Sequence, residues 1–416
     1  MRRVLINAGP IVHVSGEGPL LGKEISEESS IYEPGMGIVI DGYRIAKIAT
    51  SEEISEEYAS NSEIEVIDVN HKAIIPGIVD SHSHLLWSGD RSREVRWKQQ
   101  GISYQEIAER GGGIGYTVSA TRKSSDIDLK NLGISRLKSA LRSGTTHMEI
   151  KSGYGLDTES ECRLLKIGEE IAALENLPSL DITWLGAHAA PPGGDIATYT
   201  EEILSEQLPA VIDQGIARNA DVFCEPGWFN VEQSEDILKS ARNGGLDLRI
   251  HIDEFVDGGG GDLAADLEVS SADHCHYTNN EARHRMNDAG VNTGFLPGTP
   301  YSMGSEFPPF KQCIEENIVW SIASDFNPNC KITSLPFLGS LLVQRSNIDP
   351  LITLAACTRN SALTTPHPSG LVHGQITEGG IANLNVVNSE HWEAWCLQPG
   401  DSPFSHTILE GELISH

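Results

Sequence analysis

The sequence predicts an α/β fold: a (β/α)8 barrel of eight parallel strands with a small β-sandwich built from both chain ends. Three observations predict it. Short apolar runs alternate with amphipathic helical stretches through the middle of the chain, whereas both ends alternate at a two-residue period. Side chains able to bind a metal or move a proton fall just after the strands, one or two at a time. The 416 residues exceed one ordinary domain but suit a barrel over 70–365 beside a sandwich formed by 1–69 and 366–416.

From the start, Val4 to His13 and Gly37 to Ala49 read as antiparallel strands turning at Asp41-Gly42, and Glu52 to Asn61 as an acidic surface segment. The apolar, β-branched run Ala73 to Val79 is bounded by Pro and Gly and suits a strand covered on both faces, the first of the barrel. After a long mixed region, Tyr104 to Ser143, the strands expected are Thr145 to Ile150, Asp181 to Leu185, Asp221 to Cys224, Asp247 to Ile252, Glu268 to Ala272, Val291 to Phe295 and Asn317 to Ala323. Capping boxes at Thr158-x-x-Glu161, Thr198-x-x-Glu201 and Thr278-x-x-Glu281 open helices between them, and Asp349-Pro350 starts another. Gly380 to Val387 and Thr407 to Ile414 return to short alternating strands. The triple glycine at 111–113 and the Gly-rich 258–261 lack a Walker lysine or a dinucleotide fingerprint, so they read as tight turns.

Composition narrows the class. With 30 Lys and Arg against 59 Asp and Glu, the net charge is −29, which repels a phosphate backbone or an anionic membrane. Nucleic acid and membrane are therefore excluded as expected partners. The start of the chain has no long apolar segment, and none later approaches spanning length, so a soluble, cytoplasmic protein is expected. Seven cysteines without a Cys-x-x-Cys pair argue against disulfides and a cysteine zinc site.

His82 and His84 stand two apart just past the first strand, so both imidazoles reach one side. Lys151 and Tyr154 follow the second strand, His188 the third and Glu225 the fourth. After the fifth come His251, Asp253 and Glu254; after the sixth, His274 and His276; after the eighth, Asp325 and Asn327. In a parallel barrel all these ends share one face. His82, His84, His251 and Asp325 form a nitrogen and oxygen set suited to one zinc or iron ion. Glu254, three residues beyond His251, is placed to take a proton from water whose pKa a metal has lowered toward about 7. Arg91, in the first loop, is a candidate fork for a substrate carboxylate.

The stretches His82-Ser83-His84-Leu85 with Gly89-Asp90-Arg91, Lys151-Ser152-Gly153-Tyr154-Gly155-Leu156, Leu185-Gly186-Ala187-His188, His251-Ile252-Asp253-Glu254-Phe255, Ser271-Ala272-Asp273-His274, Leu296-Pro297-Gly298-Thr299 and Asp325-Phe326-Asn327-Pro328 resemble the amidohydrolase superfamily. Within it they resemble the imidazolonepropionase family, and the likeness covers most of the chain. The resemblance implies hydrolysis of 4-imidazolone-5-propanoate to N-formimino-L-glutamate in histidine degradation, usually by a homodimer holding one metal ion, zinc or iron, per chain. It carries the ligand role to His82, His84, His251 and Asp325. Catalytic roles pass to Glu254, His274 and Asp325, with His274 steadying developing charge. Substrate contacts pass to Arg91, Tyr154, His188, Glu254, Asn327, Asn329 and Cys330. Lys151 belongs by the same resemblance to the substrate loop. Just beyond, the chain departs from the pattern: Asn329 and Cys330 stand where the family usually has Gly followed by Ser or Thr. An alternative within the fold is deamination of a related heterocycle by the same ligands.

Overall fold

The computed structural model describes residues 2–58 and 63–415. Eight parallel strands form one continuous sheet in chain order: Ile78–Asp80, Thr145–Lys151, Ser179–Ala187, Asn219–Cys224, Asp247–Ile252, Ser271–His274, Asn292–Phe295 and Trp320–Ile322. A bridge between Ser83 and Phe326 and the bond from Asp325 N–H to the His82 carbonyl, 3.1 Å, bring the last strand's exit against the first's. The result is the expected barrel. Its outer layer of apolar side chains packs against helices such as Thr158–Ala172 and Val231–Asn243, which bury one stripe each.

The expected first strand is divided. Ile74–Pro76 joins a six-stranded sheet with Leu384–Val387 and Ile11–Val12, whereas Ile78–Asp80 begins the barrel. The change of sheet falls at Gly77, whose N–H bonds the Asn383 carbonyl at 2.8 Å and where a Cβ would lie 2.3 Å from Thr146 Oγ1. The six-stranded sheet draws its remaining strands, Ile31–Tyr32, Phe404–Leu409 and Glu412–Ser415, from the two chain ends. A separate four-stranded sheet uses Arg2–Ile6, Met36–Asp41, Arg44–Thr50 and Glu65–Asp68. Ser51–Tyr58 is helical, and the remainder of the acidic segment lies outside the described residues.

The three threonine capping boxes do not form. The N-caps are Asp157, Asp195 and Asn279, each accepting a backbone N–H in the first turn. Asp and Asn cap at least as well as Thr; Asp157 and Asp195 precede their threonines, and Asn279 directly follows Thr278. The freed groups take other work: Thr278 donates to Asp253, and the buried Glu161 accepts the N–H groups of Gly153, Gly155 and Leu156. Among the described residues no helix is long and apolar enough to cross a membrane.

Candidate metal centre and substrate cavity

The barrel interior is ionic where many barrels are aliphatic. Period-two alternation turns Glu149 and Lys151 inward from the second strand, Asp221 from the fourth, Arg249 and His251 from the fifth and Asp273 from the sixth, all buried. Lys151 Nζ lies 2.8 Å from both Glu149 and Asp221. It is thus a buried ion-pair member beneath the cavity rather than part of a substrate loop.

Two of these carboxylates orient histidines. His82 Nδ1 is 2.7 Å from Asp273, which also meets Arg249 at 3.3 Å; His251 Nδ1 is 3.0 Å from Asp221. With the Nδ1 protons given to carboxylates, both rings present Nε2 lone pairs toward the cavity. His82 Nε2 is buried without a hydrogen-bond partner. His251 Nε2 and His84 Nε2 face each other at 3.5 Å, and Asp325 Oδ1 lies 3.4 Å from His84 Nε2 and 3.7 Å from His82 Nε2. Lone pairs converging in this way repel one another unless a cation sits among them. The surplus of buried carboxylates over Lys151 and Arg249 has the same sign. The residues therefore fit a divalent cation, with His82, His84 and Asp325 offering atoms within 4.8 Å of one another, as His82, His251 and His274 do.

Burial, and then the Lys151 charge, hold the His82 pKa well below its usual value; burial also lowers His84. Asp325 is held low despite its burial by the close approach of His84, by the nearby His274 and by a bond from Thr299. The backbone is left-handed at Asp253, His274 and Asp325, with φ of 50°, 70° and 47°, where strands five, six and eight end. Such conformations are costly for side-chain-bearing residues and mark sites where geometry is over-determined.

A cavity of about 970 Å³ opens above this cluster. Around it the structure brings together His84, Arg91, Tyr154, His188, His251, Glu254, His274, Asp325, Asn327, Asn329 and Cys330, with His82 buried beneath. His188 stacks on His84 at 5.2 Å, accepts the Tyr154 ring edge-on at 5.2 Å, and binds the Gly153 carbonyl through Nδ1 at 2.9 Å. Burial lowers its pKa to about 3. Glu254 Oε2 lies 3.6 Å from His274 Nε2; burial, then repulsion from Asp325, raises the Glu254 pKa well above the ordinary range. Burial takes His274 to about 3.

Other residues singled out by their place after the strands support the walls. Arg91 is buried with its Nε and Nη2 each 2.8 Å from Glu94. Asn327 donates to the Asp325 carbonyl and accepts from the N–H groups of Asn329 and Cys330, so it shapes its own turn. Cys330 is buried, its thiol pushed up to about 12. Glu225 accepts the N–H groups of Glu254, Phe255 and Val256, which makes it a brace for the loop carrying Glu254. Asp253 binds Thr278 and the Gly258 N–H, and His276 stacks on Tyr277 outside the cavity. Sequence reasoning misses Asp221, Asp273, Thr299 and Glu94. For the first two a signal exists: a charged residue inside an apolar strand is costly unless paired.

No family model matches the chain. It is similar to an imidazolonepropionase of Haloarcula marismortui, 36% identical over 92% of this chain and 90% of that one. A Symbiobacterium thermophilum imidazolonepropionase is 35% identical over 99% and 96%. Among solved structures, an atrazine chlorohydrolase of Arthrobacter aurescens complexed with zinc superposes with a TM-score of 0.67 at 15% identity, covering 100% of this chain and 95% of that one, a likeness of fold. Near-full-length identity at this level means that the chain belongs to the imidazolonepropionase family of hydrolytic enzymes.

Proposed function

We propose that the chain opens the ring of 4-imidazolone-5-propanoate by hydrolysis, giving N-formimino-L-glutamate, at the cavity above the histidine cluster. The observation that carries this reading is the convergence of His82, His84, His251 and Asp325 beneath a cavity that also holds Glu254. These four residues would hold one ion, zinc or iron. When bound, the ion supplies Lewis acidity toward the attacking water and the ring carbonyl.

The chain's own groups do the rest. Glu254 takes the proton from the attacking water; a carboxylate whose pKa burial has raised is a stronger base than a solvated one. Asp325, beside the same water, shares in that transfer. His274 donates to the oxygen on which charge develops, and the proton held by Glu254 passes to the departing ring nitrogen. His188 and Tyr154 bound the ring, while Arg91 faces the propionate, its fork held in place by Glu94. Asn327, Asn329 and Cys330 form the product-side wall.

The test is direct. Imidazolonepropionate generated from urocanate loses its ultraviolet absorbance when the protein is added, with N-formimino-L-glutamate as product; ammonia release without that product would instead indicate deamination. Light scattering tests the expected homodimer.

A further inference from the structure

Two cations, Arg91 and Lys98, line the cavity, and one of them is already neutralised. Glu94 binds Arg91 through two hydrogen bonds of 2.8 Å, so that pair presents little net charge to a ligand. Lys98 lies one turn beyond Glu94 on the same helix, Arg93–Gln99, and also lines the cavity. Among the described residues it makes no salt bridge. Its amine meets Asn329 Oδ1 at 3.5 Å, the outer limit of a hydrogen bond. The residue is exposed as a whole, but partial desolvation of its amine, and then the neighbouring Arg91, lower its pKa against the opposing pull of Glu94. The Asn329 side chain, which also lines the cavity, supplies that contact.

We propose, resting on the function above, that Lys98 is the specificity-determining cation for the substrate's carboxylate, steered by Asn329, so that the acid group binds between Lys98 and Arg91. The carboxylate supplies the acceptor that the ammonium lacks and replaces its long contact to an amide with a charge-assisted one. A heterocycle without an acid chain leaves Lys98 as it is and gains nothing from it. The same placement explains how a chain of net charge −29 recruits an anion: the attraction is local.

The test measures binding of two probes to the metal-loaded enzyme by calorimetry: imidazole-4-propionate and the uncharged 4-propylimidazole. The wild type should prefer the carboxylate. Lys98→Met should lose roughly ten- to hundredfold of that preference, Lys98→Arg should recover part of it, and Asn329→Gly should reduce it by roughly two- to tenfold. With the natural substrate, the loss in Lys98→Met should fall on KM rather than kcat, and its thermal unfolding should match the wild type, because this side chain holds no salt bridge among the described residues. An unaltered preference in Lys98→Met overturns the inference, as does a wild type indifferent to the carboxylate. A wild type that prefers the carboxylate through Lys98 yet leaves imidazolonepropionate intact overturns the proposed reaction and upholds the role of Lys98.

Discussion

Asp273 lies 2.7 Å from His82 Nδ1, which turns the opposite nitrogen of that ring toward His251, His84 and Asp325. Asp273→Asn keeps the shape but removes the charge that fixes the tautomer. Metal affinity should fall about 10- to 100-fold, measured by competition with a chromophoric chelator. Wild-type affinity in this variant would show that the ring is oriented by packing alone.

Glu254→Gln should lower kcat by roughly 10²- to 10⁴-fold, because the amide cannot accept the water proton. Metal content by elemental analysis should be unchanged, since the four proposed ligands are intact. A variant that loses its metal, or keeps its rate, speaks against the base assignment.

Much of this is legible in the sequence. Strand period and strand-end chemistry locate the barrel, its working face and the residues around the cavity. What strand-end position does not carry is which neighbour a side chain will meet. Glu225 and Glu254 look alike in sequence, yet one braces three backbone N–H groups while the other faces His274. Lys151 reads as a loop residue because its pairing with Asp221 depends on the register of strands far apart in the chain, which local pattern cannot encode. The run Ala73 to Val79 reads as one strand because period and hydrophobicity continue through Gly77; the crowding by Thr146 that enforces the change of sheet is tertiary.

Arg91→Ala should destabilise the fold as well as weaken substrate binding, because it leaves the buried Glu94 carboxylate without its guanidinium. Breaking a buried pair from one side costs about 3–5 kcal/mol. Urea unfolding should show that loss, and Arg91→Ala with Glu94→Gln should regain much of it. A single variant as stable as the wild type would mean that water reaches Glu94 readily.

A second buried histidine group, His147, His367 and His373, lies away from the cavity, with ring centroids 4.9 to 5.6 Å apart. Burial, then repulsion from the other rings, holds His147 well below its usual value; burial, then His367, takes His373 from 6.5 to about 4. The unfolded chain therefore binds protons below about pH 6.5 that the folded chain refuses, so stability present at neutral pH is lost as pH falls from that value toward 4. His373 alone should contribute a loss of roughly 2 kcal/mol between pH 7 and 5. Denaturant titrations at the two pH values measure it, and His373→Asn should flatten the slope. Stability that rises on acidification over this window would contradict the assignment.

The division at Gly77 also bears on the order in which the chain can assemble during synthesis. Ile74–Pro76 has as its antiparallel neighbour Leu384–Val387, far along the chain, and Asn385 caps the Pro76 and Gly144 carbonyls. The four-stranded sheet of residues 2–68 can close early, since its partners are local. The six-stranded sheet cannot, because half its strands emerge from the ribosome last. Until they do, Ile74–Pro76, just ahead of the Gly77 crossing into the barrel strand that leads to His82 and His84, has an open edge, and the segment that anchors the metal-binding loop to the six-stranded sheet is paired only at the end of translation.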